Sequence, residues 1–404
     1  IVEPTGNGIG SDAFAQIWDG QTLHAINGSG RAPAAWTPEY FSTYTSMPKY
    51  GWDAVTVPGA VDVWAQLSKR FGQLPFEALF EAAIRHSEEG FAVGPRTAWL
   101  WQDLAETYAG YADFVEHFLP APEVGQTVIR ADAARTLRTI AASRGEAFYR
   151  GELAARIEQC AIDGGGALRA SDLAQHRSDW VTPLQQPYRD VVLHEIPPNG
   201  QGLAALIALG MLAFFDPPPL DSVDSVHLQV EVMKIALKAA ADHVGDIDAM
   251  RISPEQLLAA DSLARAAATI TERAAPSPTL SLPMGGDTVY LSAADQNGMM
   301  VSFIQSNFHH FGAGIVIPNT GIAMQNRGFG FSLQRGHVNQ VGPHKRPFHT
   351  IIPAFATRDG QAWASFGVMG GPMQAQGHVQ MIVRLVDHGQ NPQAASDAPR
   401  WQVL

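Results

Sequence analysis

The chain has one cysteine, Cys160, so it can build neither an internal disulfide nor a cysteine-based zinc site. It has no uninterrupted apolar run near the roughly 18–20 residues a membrane span needs. The opening Ile1-Val2-Glu3-Pro4 lacks the pattern of a signal peptide. A soluble protein is expected, the cytoplasm being favoured over the periplasm or secretion. Basic residues are scarce: 27 Lys and Arg face 39 Asp and Glu, for a net charge of −12. Nucleic acid is therefore excluded as a partner, because phosphate binding needs a basic footprint. Several familiar site patterns are also missing. Ser29 stands in no Gly-x-Ser-x-Gly elbow, since position 27 is Asn, and no His-Glu-x-x-His, Walker loop or Cys-x-x-Cys occurs. Fourteen histidines are present, but His309, His310, His337, His344, His349 and His378 match no standard metal spacing. Gly6-x-Gly8-x-Gly10 precedes no helix and is not a dinucleotide fingerprint. Neither metal nor cofactor is expected.

What remains is a 404-residue chain, 46% hydrophobic, with 38 Gly and 27 Pro. It can bury a substantial core and must turn often. Asp12 to Trp18 alternates as a strand, turns at Asp19-Gly20 and returns through Thr22 to Ile26. From Pro58-Gly59 the period becomes helical, with Val61, Trp64 and Leu67 on one face, and a second helix follows around Ala82 to His86. Residues 120–180 read as helical, with a stop at Gly151 and a helix start at Ser171-Asp172-Leu173. Val191 to Ile196 is a strand stopped by Pro197-Pro198. Leu228, Val232, Ile235 and Ala239 describe a helix capped near Ser225 and closed by Gly245, with Lys234, Lys238 and Asp242 on a solvated face. Ser253 and Pro254 start another helix that runs toward Pro276.

The stretch 285–292 changes the character of the chain. A Pro/Ser-rich lead (Pro276, Ser277, Pro278, Ser281, Pro283) ends in Gly285-Gly286-Asp287, and Thr288 then opens a strand. Hairpins dominate afterwards: 288–295 with 299–305 around Asn297-Gly298, 314–317 with 321–325, and 351–357 with 362–369 around Asp359-Gly360. The last of these runs into Gly370-Gly371-Pro372 and a helix with Val379, Ile382, Val383 and Val386 on one face. A threonine that opens a strand is by itself only a strand former. As a new N-terminus, however, it would carry a nucleophilic hydroxyl and a base, its own α-amine, on one residue. Gly370-Gly371 between a strand and a helix is a tight turn, or a pair of side-chain-free N–H donors for an oxyanion.

Here the residues carry a resemblance. Gly286-Asp287-Thr288-x-x-x-Ser292, Asp295-x-x-Gly298, Phe311-Gly312-x-Gly314, Lys345-Arg346-Pro347 and Gly370-Gly371 resemble the small subunit of γ-glutamyltranspeptidases. Val2-Glu3-Pro4 with Gly8-Ile9-Gly10, Pro58-Gly59, Phe148-Tyr149-x-Gly151, Tyr188-Arg189 and Pro197-Pro198 are similar to the large one. The resemblance implies an α+β fold, a four-layer αββα sandwich of the Ntn-hydrolase type. It also implies a proenzyme that cleaves itself between Asp287 and Thr288. Residues 1–287 and 288–404 would then be the large and small portions of one structural domain, held together after the cut. Further residues at both ends are expected as well. Carried over by position, Thr288 is the nucleophile, Gly370 and Gly371 form the oxyanion hole, and Ser306 holds the nucleophile's amine.

Departures from the family pattern shape the expected substrate. The Arg that holds a glutamyl α-carboxylate falls at Ser29, with Arg31 two residues away, and the accompanying Ser-Ser pair falls at His349-Thr350. The Asn, Gln and Asp that bind the α-amine fall at Phe308, Arg327 and Gly330. An ammonium facing Arg327 would be repelled. The expected substrate is therefore a small-molecule amide whose acyl group carries a carboxylate but no α-amine, held by Arg327 with Arg31, His349, Thr350 and Phe308. The acylase-like branch of the family, with cephalosporin (glutaryl) acylases and oxamate amidohydrolase, fits that pattern. A true γ-glutamyl hydrolase or transferase, and an uncleaved scaffold, are the alternatives.

Overall fold

Alternation along one strand sets up the centre of the molecule. In the computed structural model, which describes residues 1–280 and 287–404, β1 (Asp12–Trp18) is buried along its whole length. Its odd residues Ala13, Ala15 and Ile17 pack with Ala60 and Val63 of α1 (Ala60–Phe71). Its even residues turn the other way: Phe14 packs with Ile196, Ile304 and Ile351, and Trp18 stacks on Phe355. The period of two thus assigns each side chain to one of two layers.

The main strands continue in chain order as β2 (Leu23–Asn27), β3 (Asp179–Val181), β4 (Leu184–Tyr188), β5 (Val191–Glu195), β6 (Asp287–Ala294), β7 (Met300–Phe308), β8 (Ala354–Arg358) and β9 (Gln361–Phe366). One sheet has the order β3-β2-β1-β7-β6 and the other β9-β8-β5-β4. Neighbouring strands are antiparallel throughout. Each sheet takes strands from both sides of Thr288, so the two portions interleave. Gln16 Nε2 on β1 donates to the carbonyls of His194 and Pro353, tying the two sheets across the seam.

The outer face of the second sheet is covered by α2 (Gly202–Leu212), α3 (Val223–His243) and α4 (Met373–Val386), which share its largest apolar cluster. All eleven residues of α2 are buried. A helix apolar on every side has no amphipathic period, and sequence periodicity gives no signal for it. Other details also differ from expectation. The cap of α3 is Ser222, whose hydroxyl accepts from the Ser225 N–H at 3.1 Å. Lys234 is buried against Glu231 at 2.6 Å and is not on a solvated face. The Asp172 carboxylate accepts the Arg169 N–H at 2.9 Å, so the helix at 170–175 starts before Ser171. The run after Pro254 breaks into Pro254–Leu257 and Ala260–Ala267. Ser281, Pro283, Gly285 and Gly286 of the Pro/Ser lead lie outside the described residues.

Candidate active site

Thr288, the second residue of β6, faces a bulge in β7. Val289 pairs with Gln305 but Asp287 pairs with Phe308, so the ladder slips by one residue and leaves Thr288 opposite Ser306 and Asn307. Bulges bend a strand and re-aim the side chain they carry. Thr288 and Ser306 are both buried. The Ser306 hydroxyl accepts the Phe308 N–H at 2.8 Å, and Phe308 has φ +83°, a costly backbone for a bulky residue. The cleavage position predicted from sequence is thus met across the ladder by an irregular backbone.

Gly370 and Gly371 reach this region from β9. The segment leading to them passes Gly367, where a Cβ would come within 2.4 Å of the Tyr290 ring. Tyr290 is two residues beyond Thr288 in β6. Both glycines have positive φ, +115° and +59°. The Gly370 carbonyl accepts the Met373 N–H at 3.1 Å and the Gly371 carbonyl the Gln374 N–H at 3.0 Å. Among the described residues neither glycine's own N–H donates to a backbone carbonyl. Two donors at the start of α4 suit an anion.

Arg327 opens a short turn, Arg327–Gly330, and is fully buried. Its guanidinium lies over the Phe308 ring at 4.6 Å, and its Nη1 donates to Thr350 Oγ1 at 3.0 Å. Among the described residues Nε and Nη2 have no partner, and no carboxylate lies within ion-pair distance of the guanidinium. Burial pulls its pKa down to about 9, with Asp12 opposing the shift. It is still a cation at neutral pH.

The other predicted recognition residues divide. Thr350 and Phe308 touch Arg327 directly. His349 faces inward: its Nε2 lies 3.2 Å from Asp12 Oδ2, and its Nδ1 accepts the Ile351 N–H at 3.4 Å. Burial first, then the Arg327 and Arg346 cations, holds its pKa well below the usual range. Arg31 is not part of this group. Its guanidinium reaches the His344 carbonyl at 3.1 Å, Asp246 at 3.5 Å and Asp179 at 3.6 Å. Ser29 is buried, and its hydroxyl accepts from Asn199 Nδ2 at 3.0 Å.

Two residues absent from the sequence expectation belong to the same surroundings. Asp12 is wholly buried, and its carboxylate accepts the N–H groups of Gly59 at 2.9 Å and Gly30 at 3.2 Å. Burial pushes its pKa up to about 6 against the pull of Arg327 and those two amides. It pairs with Ser306 across β1 and β7. Its inward parity with Phe14 and Gln16 was the available signal. The His309 ring lies tilted against Phe308 and edge-on to Phe329, with Nε2 unpartnered among the described residues. Burial, Lys49, His310 and Arg327 push its pKa down to about 3.

A family model described as gamma-glutamyltranspeptidase matches residues 1–403. The chain belongs to the γ-glutamyltranspeptidase family. Among its relatives is the glutathione hydrolase-like YwrD proenzyme of Bacillus subtilis (strain 168), 33% identical over 99% of this chain and 78% of the relative. The oxamate amidohydrolase proenzyme of Klebsiella pneumoniae is also 33% identical, over 99% and 78%. A crystal structure of cephalosporin acylase from Bacillus halodurans aligns with a TM-score of 0.95 and 46% identity, over 100% of this chain and 76% of that one. As a γ-glutamyltranspeptidase-family member with acylase and amidohydrolase relatives, this is a hydrolase of mixed helix and sheet. No described helix is long and apolar enough to cross a membrane.

Proposed function

We propose that this protein is an N-terminal-threonine amidohydrolase that removes a carboxylate-bearing acyl group, one without an α-amine, from a small-molecule amide. The observation that carries the reading is the unused edge of Arg327. Nε and Nη2 share one side of the guanidinium, both lack partners among the described residues, and the group is buried. A carboxylate fits that edge with two parallel charge-assisted hydrogen bonds. A γ-glutamyl ammonium would instead meet an uncompensated cation. Phe308 beneath the guanidinium and Thr350 at Nη1 hold the fork in place. The helices on the outer faces of two facing sheets support the four-layer αββα arrangement of an Ntn hydrolase.

In the proenzyme, Thr288 Oγ1 attacks the Asp287 carbonyl, the peptide shifts to an ester, and water releases residue 287. Portions 1–287 and 288–404 stay associated. In turnover Thr288 Oγ1 attacks the substrate carbonyl carbon while the Thr288 α-amine takes its proton. The Gly370 and Gly371 N–H groups receive the oxyanion, and the Ser306 hydroxyl positions the amine. Collapse expels the leaving amine with that proton, and water hydrolyses the acyl-threonine.

Purified protein run on a denaturing gel should give two fragments split before Thr288, and Thr288→Ala one inactive band. A glutaryl anilide should be hydrolysed with kcat/KM at least tenfold above the γ-glutamyl anilide. Faster turnover of the γ-glutamyl compound would overturn the substrate assignment, and one persistent band from the parent protein would overturn the mechanism.

A further inference from the structure

One side chain touches both halves of this site without facing the substrate. Gln201 is fully buried at the start of α2. Its Nε2 donates to the Thr350 carbonyl at 2.6 Å and to the Gly371 carbonyl at 2.8 Å. Its own N–H donates to the His349 carbonyl at 3.0 Å, and its carbonyl accepts the Ala204 N–H at 2.9 Å as α2 begins. Thr350 is the residue whose hydroxyl receives Arg327 Nη1. Gly371 is one of the two glycines whose N–H groups are assigned the oxyanion. A single amide nitrogen therefore ties the acyl-carboxylate pocket to the oxyanion loop.

We infer that Gln201 is a positioning residue that sets the distance between carboxylate recognition and the reacting carbonyl. The inference rests on the proposed function. A glycine pair at positive φ has no side chains with which to fix its own peptide planes. The Gly371 carbonyl receives two donors, Gln201 Nε2 and the Gln374 N–H, and these hold the loop in one orientation. The Gln201 nitrogen spends both of its hydrogens, one on each half. Asn199 extends the clamp: its Nδ2 donates to Ser29 Oγ and to the Pro347 carbonyl at 2.6 Å, and its carbonyl accepts the His349 N–H at 3.0 Å. The Asn199 to Gln201 segment thus braces the strand-side backbone at His349 and Thr350. α2, packed on all sides, anchors it from behind.

The decisive variants are Gln201→Met and Gln201→Glu in the full chain. Gln201→Met keeps length and bulk but donates nothing. It should cleave itself and keep its melting temperature within a few degrees, yet lose kcat on a glutaryl anilide by tenfold or more while KM rises severalfold. Gln201→Glu adds a test that a merely structural role would not move. The introduced carboxyl can donate only while protonated, so its kcat relative to the parent should climb as pH falls from 8 to 5. Gln201→Met with kcat and KM both within twofold of the parent would overturn the clamp. If Gln201→Met does not fold, Gln201→Glu decides: a ratio to the parent that is flat with pH overturns the role. A parent that neither cleaves itself nor turns over any acyl anilide fails the proposed function, a result distinct from an active parent with an indifferent Gln201.

Discussion

At the scale of single residues, the question is whether Arg327 is there for stability or for a ligand. A buried guanidinium with two idle nitrogens and no counter-carboxylate among the described residues carries a desolvation penalty that packing does not repay. Arg327→Met should therefore not lower the melting temperature at pH 5, where Asp12 holds its proton, and should raise it by a few degrees. The same variant should lose roughly a hundredfold in kcat/KM on a glutaryl anilide, the scale of one or two charge-assisted hydrogen bonds. A stability loss of about 3–5 kcal/mol, the signature of a broken buried pair, would make Arg327 structural instead. Thr288 and Arg327 could be proposed from the sequence because each offers its chemistry on one side chain at a motif position. Asp12, Gln201 and the inward turn of His349 could not. Their partners lie far away in sequence, and only strand register and the α2 start bring them together. Arg31 failed to join Arg327 for a related reason: Asp179 and Asp246 already surround it.

Asp12 supplies a second prediction at this scale. Its folded pKa of about 6 lies above its ordinary 3.8. The folded chain thus holds this proton more tightly than the unfolded one. The resulting stabilisation is complete below pH 3.8 and is lost as pH rises through about 6. Against Asp12→Asn, which cannot titrate, the parent should lose on the order of 3 kcal/mol of relative stability between pH 4 and pH 7. Urea unfolding at a series of pH values measures it, and a parent-to-variant difference that stays constant with pH would sink the idea. The loss is opposed by Arg327, which favours the carboxylate, so Asp12→Asn should change the slope more in an Arg327→Met background than in the parent.

At the scale of elements, turns were easier to read than helices. Asp19-Gly20, Asn297-Gly298 and Asp359-Gly360 each sit between paired strands, because the residue types that tolerate positive φ mark a hairpin locally. The α2 helix was invisible because burial on every side erases its period. The bulge opposite Thr288 was equally hidden, since a one-residue slip depends on what β7 offers across the ladder. The Gly370-Gly371 loop gives the testable case. At φ +115° an alanine is strained by about 1–3 kcal/mol, and its Cβ would meet Met373 Cβ at 3.2 Å. The loop relieves that strain by rotating, which turns its N–H groups away from the oxyanion. Gly370→Ala should cut kcat by about 10²–10³ and lower the melting temperature by only a few degrees. Unchanged kcat in a folded variant would remove this loop from the oxyanion hole.

At the scale of the whole molecule, interleaving decides what cleavage can do. The portion after Thr288 supplies β6 and β7 to one sheet and β8 and β9 to the other, and β1 lies between β2 and β7. Its α4 shares a core with α2 and α3 from the earlier portion. Pulling 288–404 away would expose both sheet seams and that core at once. At roughly 25 cal/mol per Å² of apolar surface, no cost of this kind is recovered by freeing one new chain end. A cut before Thr288 should therefore change covalent connectivity and leave the fold standing. The cleaved protein should elute from size exclusion at the volume of the uncleaved Thr288→Ala variant, even on strong dilution. Both should unfold in one cooperative thermal transition. Elution of the fragments as separate species without denaturant would show that the seam does not hold them. Persistence as one body is also what the proposed chemistry requires, because Asp12 and Gln201 precede the proposed cut, while Ser306, Arg327 and Gly371 follow it.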